Sequence, residues 1–148
     1  MKASLLDDAT RAQLAVRAQQ LTAEARPAWG RMGVVAMLNH LNLSFQSASG
    51  ELRLQRALIG RLFGAVAKRV FVRGDAAFMK NGPTDPQLLE EEGGFEPALA
   101  ELLARLDRFA QPGGIGEHPH AFFGALTREE WGWLMAKHVD HHLRQFGV

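Results

Sequence analysis

Apolar residues recur at intervals of three and four through most of this 148-residue chain, and the strict alternation typical of half-buried strands is almost absent. Such spacing gives each of four or five stretches one apolar face. A chain of this length can bury those faces in one core. The sequence therefore predicts an all-α fold. We expect a single domain over residues 1–148, an antiparallel four-helix bundle with a long crossover, and room for an extra helix, between helices two and three.

Capping residues and helix breakers predict the boundaries of the first two helices. Helix one begins with Asp7 or Asp8 as its N-cap and is closed by Pro27. Helix two follows Gly30 and stops at Ser49-Gly50. The predicted apolar faces are Leu14, Ala18, Leu21 and Ala25 in helix one, and Val34, Met37, Leu38, Leu41 and Phe45 in helix two.

The crossover contains a third periodic stretch within residues 54–73, but the pattern does not settle whether it is a full helix. Gly60 and Gly64 weaken it, and residues 70–72 suit an extended strand equally well. Residues 74–94 carry turn residues throughout, which predicts an ordered connection without long regular elements. The apolar face of the third stretch comprises Leu58, Ile59, Leu62, Phe63, Val66 and Val70.

Two further helices are predicted after this connection. One begins near Pro97 and stops at Gln111-Pro112. The other begins at Thr127, where Thr127 and Glu130 form a capping box, and runs to Phe146-Gly147. The apolar face of the first of these comprises Leu99, Leu102, Leu103, Leu106 and Phe109.

Composition excludes several classes of site. The chain has no cysteine, which excludes disulfides, cysteine-ligated zinc, iron–sulfur clusters and a thiol nucleophile of its own. Any metal must be held by His, Asp or Glu. A net charge of +1 gives no reason to expect nucleic-acid binding. We also expect no membrane-spanning helix and a cytoplasmic protein, because no apolar run reaches the required length and Asp7-Asp8 interrupts any leader.

Charge is nevertheless segregated along the chain. Residues 51–80 hold seven Lys or Arg against two acids, and residues 85–107 hold seven acids against one Arg. The simpler interpretation is two solvated faces that attract each other or a partner chain. The alternative is a basic amphipathic surface for anionic lipid or nucleic acid. Its cations would be Arg53, Arg56, Arg61, Lys68, Arg69 and Arg73.

Three of the six histidines crowd into five residues of the last helix. His138 and His142 lie one turn apart, and His141 lies on the other side of His138. The apolar stripe through Trp131, Met135 and Phe146 continues through His138 and His142, which makes them the inward pair, whereas the line through His141 leads to polar Gln145.

A third histidine would turn this pair into a metal site. His40 lies in helix two beside Met37 and Ser44, and a bundle can bring it opposite His138 and His142. Spacing alone leaves open whether these histidines bind metal or are satisfied polar groups. Asp140 is expected to be a solvated or supporting residue, and His120 lies in an aromatic loop that caps the core or rims a pocket.

Several segments resemble the DinB-like superfamily of damage-inducible, metal-binding bundle proteins, within an uncharacterised group of it. The resemblance extends over nearly the whole chain. Its segments are Met37-Leu38-Asn39-His40, Pro83-Thr84-Asp85-Pro86, residues 118–132 and residues 137–147.

The resemblance implies a bundle with three metal-ligating histidines, which are His40, His138 and His142 in this chain. His141, Met37, Ser44, Trp131, Met135 and His120 are then candidates for supporting or pocket positions. We expect the ion to be divalent, Zn or Ni, since both accept imidazole ligands. The resemblance also implies a metal-dependent reaction that joins a low-molecular-weight thiol to a small electrophile, or a thiol-dependent isomerisation. Hydrolysis at the same site is an alternative reaction, and a non-catalytic metal- or ligand-binding bundle with a stress-related or structural role is an alternative function. A homodimer is a further candidate partner arrangement.

Overall fold

The computed structural model of the chain describes residues 2–148, and its regular elements over that range are helices. Its α-helices are α1 (Asp8–Ala18), α2 (Val34–Ser49), α3 (Leu58–Ala67), α4 (Phe95–Arg108) and α5 (Arg128–Gln145). A π-helix (Lys68–Arg73) continues α3, and a 3-10 helix (Pro86–Leu88) lies in the connection before α4. No strand occurs among these residues, apart from an isolated bridge between His120 and Gly124. The predicted all-α fold is confirmed.

Four of the helices enclose the core. Helices α1 and α2 each pack against both α4 and α5. Leu38, Leu41, Leu102 and Leu143 are fully buried between them. The antiparallel order expected of a four-helix bundle stays a prediction. No helix in the described range is long and apolar enough to cross a membrane.

Helices α2 and α5 have the predicted ends. Gly50 closes α2 in the left-handed conformation at φ 87°, which glycine adopts without steric cost. At the start of α5, the Thr127 side chain accepts from the Glu130 amide, and the Glu130 carboxylate accepts from the Thr127 amide. This reciprocal bonding is the predicted capping box.

The predicted extent of helix one is wrong. Helix α1 ends at Ala18, well before Pro27, and turn hydrogen bonds continue the chain through Gln20 and Leu21. Leu21 is nevertheless buried. A residue beyond the end of the helix can therefore be buried as well, so apolar spacing alone does not locate that end.

The predicted burial of the α3 apolar residues is also wrong. Gly60 and Gly64 are the buried residues of α3, and its large apolar side chains are exposed. A Cβ on Gly60 would lie 2.7 Å from the Phe122 carbonyl oxygen, and one on Gly64 would lie closer still. The two glycines therefore let α3 press its backbone against the loop before α5, which turns the apolar side chains outward. The extended alternative for residues 70–72 is wrong as well, because they belong to the π-helix.

The connection between the π-helix and α4 is ordered by bonds to the bundle. The Lys137 ammonium donates to the carbonyls of Phe71, Gly74 and Ala76. On α2, the Asn39 side chain donates to the carbonyls of Glu90 and Glu92. The predicted connection without long regular elements over residues 74–94 is confirmed, and its Leu88 carbonyl contacts the His40 ring.

Candidate metal centre

Three imidazole rings from two helices meet at one point. His40 comes from the middle of α2, and His138 and His142 come from adjacent turns of α5. The three ring centroids are 4.8–4.9 Å apart. One ligand nitrogen from each ring lies within 4.8 Å of the other two. His40, His138 and His142 could therefore bind one metal ion.

The orientation of His40 is set by the connection. Its Nδ1 donates to the Leu88 carbonyl at 3.1 Å, which leaves Nε2 with a free lone pair. Leu88 ends the 3-10 helix, whose cap is the Asp85 carboxylate accepting from the Gln87 amide. Asp85 and Pro86 thus hold the carbonyl that orients His40.

The orientation of His142 is set by a relay on the other side. Its Nδ1 donates to Gln145 Oε1 at 2.8 Å, and Gln145 Nε2 donates to the Trp29 carbonyl at 2.8 Å. The loop can approach because residue 30 is glycine. A Cβ there would lie 3.0 Å from Gln145 Nε2, and Gly30 has φ 80°.

All three rings are held neutral. Burial lowers the pKa of His40 and holds the pKa of His138 well below its ordinary value. Burial also lowers the pKa of His142 to about 3, assisted by the nearby His40. Neutral imidazole is the form that binds a metal. The site therefore does not have to lose protons before an ion enters at neutral pH.

The candidate ligands are all imidazole nitrogens. Nε2 of His40 and Nε2 of His138 lie 2.8 Å apart. Two nitrogens bound to one ion at Zn–N distances lie about 2.9 Å apart at a right angle and about 3.4 Å apart in a tetrahedron. No carboxylate joins the cluster within residues 2–148. An all-imidazole set of this size is typical of first-row transition metals rather than Ca²⁺ or Mg²⁺.

His141 lies beside the cluster rather than in it. Its ring is 5.2 Å from that of His142 and makes edge contacts with Trp29 and Phe78. Burial lowers its pKa as well. The predicted difference between His141 and the inward pair agrees with these positions. Asp140 forms ion pairs with Arg17 and Arg144, so it joins α1 to α5 instead of supporting the histidines.

The other predicted pocket residues have structural positions. Met37, Trp131 and Met135 are buried in the core. The Ser44 hydroxyl donates to the backbone carbonyl of His40, not to its ring. His120 packs on Trp131 with ring centroids 5.4 Å apart, in the loop before α5.

Sequence reasoning missed the residues that orient the ligands. Gln145 was placed with the polar line through His141, but it is buried and bonds to His142. Its position three residues after His142 was an available signal, since such residues are neighbours on a helix. The carbonyls of Leu88 and Trp29 leave no sequence signal, because any residue type supplies a carbonyl.

His120 should make the protein less stable in acid. Its Nδ1 accepts from the amides of Phe122 and Phe123, and burial lowers its pKa to about 4, with His118 and Arg56 adding to the effect and Asp85 opposing it. The unfolded chain takes up this proton below about pH 6.5, whereas the folded protein resists it down to about pH 4. Between these values, each unit by which the pH is lowered should reduce the free energy of unfolding by about 1.4 kcal/mol through His120.

Urea unfolding of the wild type and of His120→Asn between pH 7 and 4 tests this. The asparagine oxygen can accept the same amide bonds without titrating. The free energy of unfolding should fall more steeply with acid in the wild type, by about 1 kcal/mol per pH unit. Parallel slopes for the two proteins would show that His120 is not held neutral.

Fold and site together define an all-helical protein with a three-histidine cluster that could bind a metal ion, in which His40 and His142 are buried and His138 is half-buried. The chain matches the model of the family described as "Protein of unknown function (DUF1569)" over residues 4–147 and belongs to that family. No curated protein and no solved structure matches it.

Proposed function

We propose that this protein is a DinB-like metal-dependent enzyme that joins a low-molecular-weight thiol to a small electrophile or isomerises a thiol-linked substrate. The observation that carries the proposal is the convergence of His40, His138 and His142. Hydrogen bonds from Nδ1 orient the rings of His40 and His142, and burial keeps the His138 ring neutral by lowering its pKa. Zn²⁺ and Ni²⁺ are the proposed ions, since both accept imidazole ligands.

An ion held by three neutral imidazoles would keep its positive charge and open positions, and it would lower the pKa of a bound thiol. The bound thiol would supply the sulfur nucleophile that a chain without cysteine lacks. In the transfer, a bond would form between sulfur and the electrophilic carbon while the bond from that carbon to the leaving group or to the epoxide oxygen breaks. The thiol proton would end on the departing group or on the opened ring oxygen. A cytoplasmic location, which we also propose, would give the site access to cellular thiols.

The protein's own residues would do three things in this reaction. The Leu88 carbonyl and Gln145 hold the rings of His40 and His142 in place. Phe78 and Trp29 put apolar surface beside the cluster, next to His138 and His141. This surface suits the carbon skeleton of a small electrophile and excludes water from one side. The Lys80 ammonium lies 4.5 Å from the Trp29 ring, where it would attract the carboxylate of an anionic thiol.

Cobalt substitution tests the thiol step. Cobalt-loaded protein should develop a sulfur-to-metal charge-transfer band when a suitable cellular thiol is added, because thiolate replaces another ligand at the metal. Turnover of an epoxide or an activated halide should then require metal, thiol and all three histidines. His141→Ala is the matched control, since it removes a neighbouring ring and keeps the proposed ligands.

A flat spectrum across a broad panel of thiols, with the metal fully loaded, would contradict the enzyme proposal. It would leave the non-catalytic metal- or ligand-binding bundle as the function. Hydrolysis of an activated ester that depends on metal but not on thiol would instead identify the hydrolytic alternative.

A further inference from the structure

Helix α3 presents a continuous apolar surface to solvent. Six large side chains on one side of α3 and the π-helix are between 43% and 77% exposed. Single exposed apolar residues are common in proteins, but contiguous groups mark interaction sites. We call this surface the α3 apolar face, and it comprises Leu58, Ile59, Leu62, Phe63, Val66 and Val70.

The fold prevents the chain from burying this face by itself. Gly60 and Gly64 lie on the opposite side of α3 and approach the backbone of Phe122 so closely that neither tolerates a Cβ without movement. Rotating α3 to bury the apolar side chains would drive them into this backbone contact. The outward orientation is therefore part of the packing, and the face requires an external partner.

The charge along the segment that carries the face is of one sign. Residues 52–74 contain six Lys or Arg and no Asp or Glu. Lys68 and Arg73 pair with Glu130 of the α5 capping box. The side chains of Arg53, Arg61 and Arg69 are exposed, and none of them forms an ion pair within the described residues. No ion pair in the described residues joins these three cations to an acid of residues 85–107. The partner should be apolar and anionic together.

We propose that the α3 apolar face docks on the surface of a phospholipid bilayer that contains anionic lipid. An interfacial helix buries its apolar side chains at the headgroup boundary while its basic residues bind anionic headgroups. Helix α3 has ten residues, which extend about 15 Å, half the thickness of the hydrocarbon core. It would lie in the plane of the surface.

Charge favours this occupant over a second copy of the chain. A symmetric dimer through α3 would bring the same patch of both subunits together. Arg61 and Arg69 of one copy would then lie near the same arginines of the other copy, and the repulsion between these like charges would weaken the dimer. An anionic bilayer removes that repulsion. This inference does not depend on the proposed enzymatic function.

Flotation of the full-length protein with vesicles tests the proposal. The protein should float with vesicles of phosphatidylcholine and phosphatidylglycerol, and much less with phosphatidylcholine alone. Leu62→Ser/Phe63→Ser should weaken binding by roughly a hundredfold or more, because two large apolar side chains no longer insert. Arg61→Gln/Arg69→Gln should weaken it by about thirtyfold at low salt, since each basic residue near the surface contributes a factor of about five.

A matched control removes exposed apolar residues elsewhere. Val16→Ser/Met79→Ser changes side chains that are 56% and 64% exposed but lie outside α3, and it should bind vesicles as the wild type does. Circular dichroism should show the same helix content in all variants, because none of the changed side chains is buried. Metal content should also be unchanged, which separates this result from any failure of the proposed metal site.

Two results would overturn the proposal. One is the absence of flotation with anionic vesicles, or flotation unaffected by Leu62→Ser/Phe63→Ser. The other is a dimer in analytical ultracentrifugation that this double variant converts to a monomer, which would identify a second copy as the occupant of the face.

Discussion

Alanine at His138 or His142 is expected to abolish binding of a divalent ion, whereas His141→Ala should retain it. Each of the first two changes removes one of three converging ligand nitrogens, and two imidazoles hold a transition metal poorly. Removing His141 takes away only a ring that touches His142 from the side. Elemental analysis of protein purified without an affinity tag should find about one ion per chain in the wild type and none in the two ligand variants.

Variants of the orienting residues provide graded controls. Gln145→Leu removes the acceptor for His142 Nδ1 and should weaken metal affinity by about 10- to 100-fold without abolishing it. Chelation of the wild type should lower its melting temperature while the helical circular dichroism persists at room temperature, since the leucine core does not need the ion. If His141→Ala loses more metal than His138→Ala, the assignment of the ligands is wrong.

Alanine at Gly60 or Gly64 should destabilise the protein. Within a helix, Gly→Ala usually stabilises by about 1 kcal/mol. Here the added methyl group meets the Phe122 carbonyl, which is backbone and cannot rotate away. Overpacking of this kind costs about 1–3 kcal/mol at each position. The double variant should lose more stability than either single one but less than their sum, because both methyl groups meet the same carbonyl.

Urea unfolding at pH 7 measures this effect. Ala65→Gly is the matched control, since Ala65 is an exposed residue of the same helix, and it should cost only about 1 kcal/mol through helix propensity. A rise in stability for Gly64→Ala would mean that α3 does not press against the loop. The outward orientation of the α3 apolar face would then lose its main support.

The inward histidines could be predicted because their evidence is local. His138 and His142 share a stripe with Trp131 and Met135, and helical geometry alone places all four on one side of α5. The capping box at Thr127 is equally local. His40 was a weaker prediction, because its meeting with α5 depends on how two helices far apart in sequence pack together.

The spacing of apolar residues gave the wrong buried side where both sides of one helix were suited to packing. In α3 the six large apolar residues predicted burial, but the two glycines allow a backbone approach that side chains would block. The contact that decides between them is supplied by Phe122, far along the chain. After α1, the apolar spacing extends beyond the end of the helix at Ala18, because Leu21 is buried although it lies in a turn.

By itself, the sequence determined the all-helical class, the positions of α2, α4 and α5, and the face of α5 that carries His138 and His142, because helical periodicity and capping are short-range properties. Only the tertiary structure decided which carbonyls orient the ligands. Leu88 reaches His40 from 48 residues away, and the Trp29 carbonyl reaches Gln145 from 116 residues away. Tertiary structure also decided which side of α3 faces solvent. These contacts depend on how the helices and connections pack. Every residue has a backbone carbonyl and the chain has many glycines, so the residue type does not indicate which of them makes the contact.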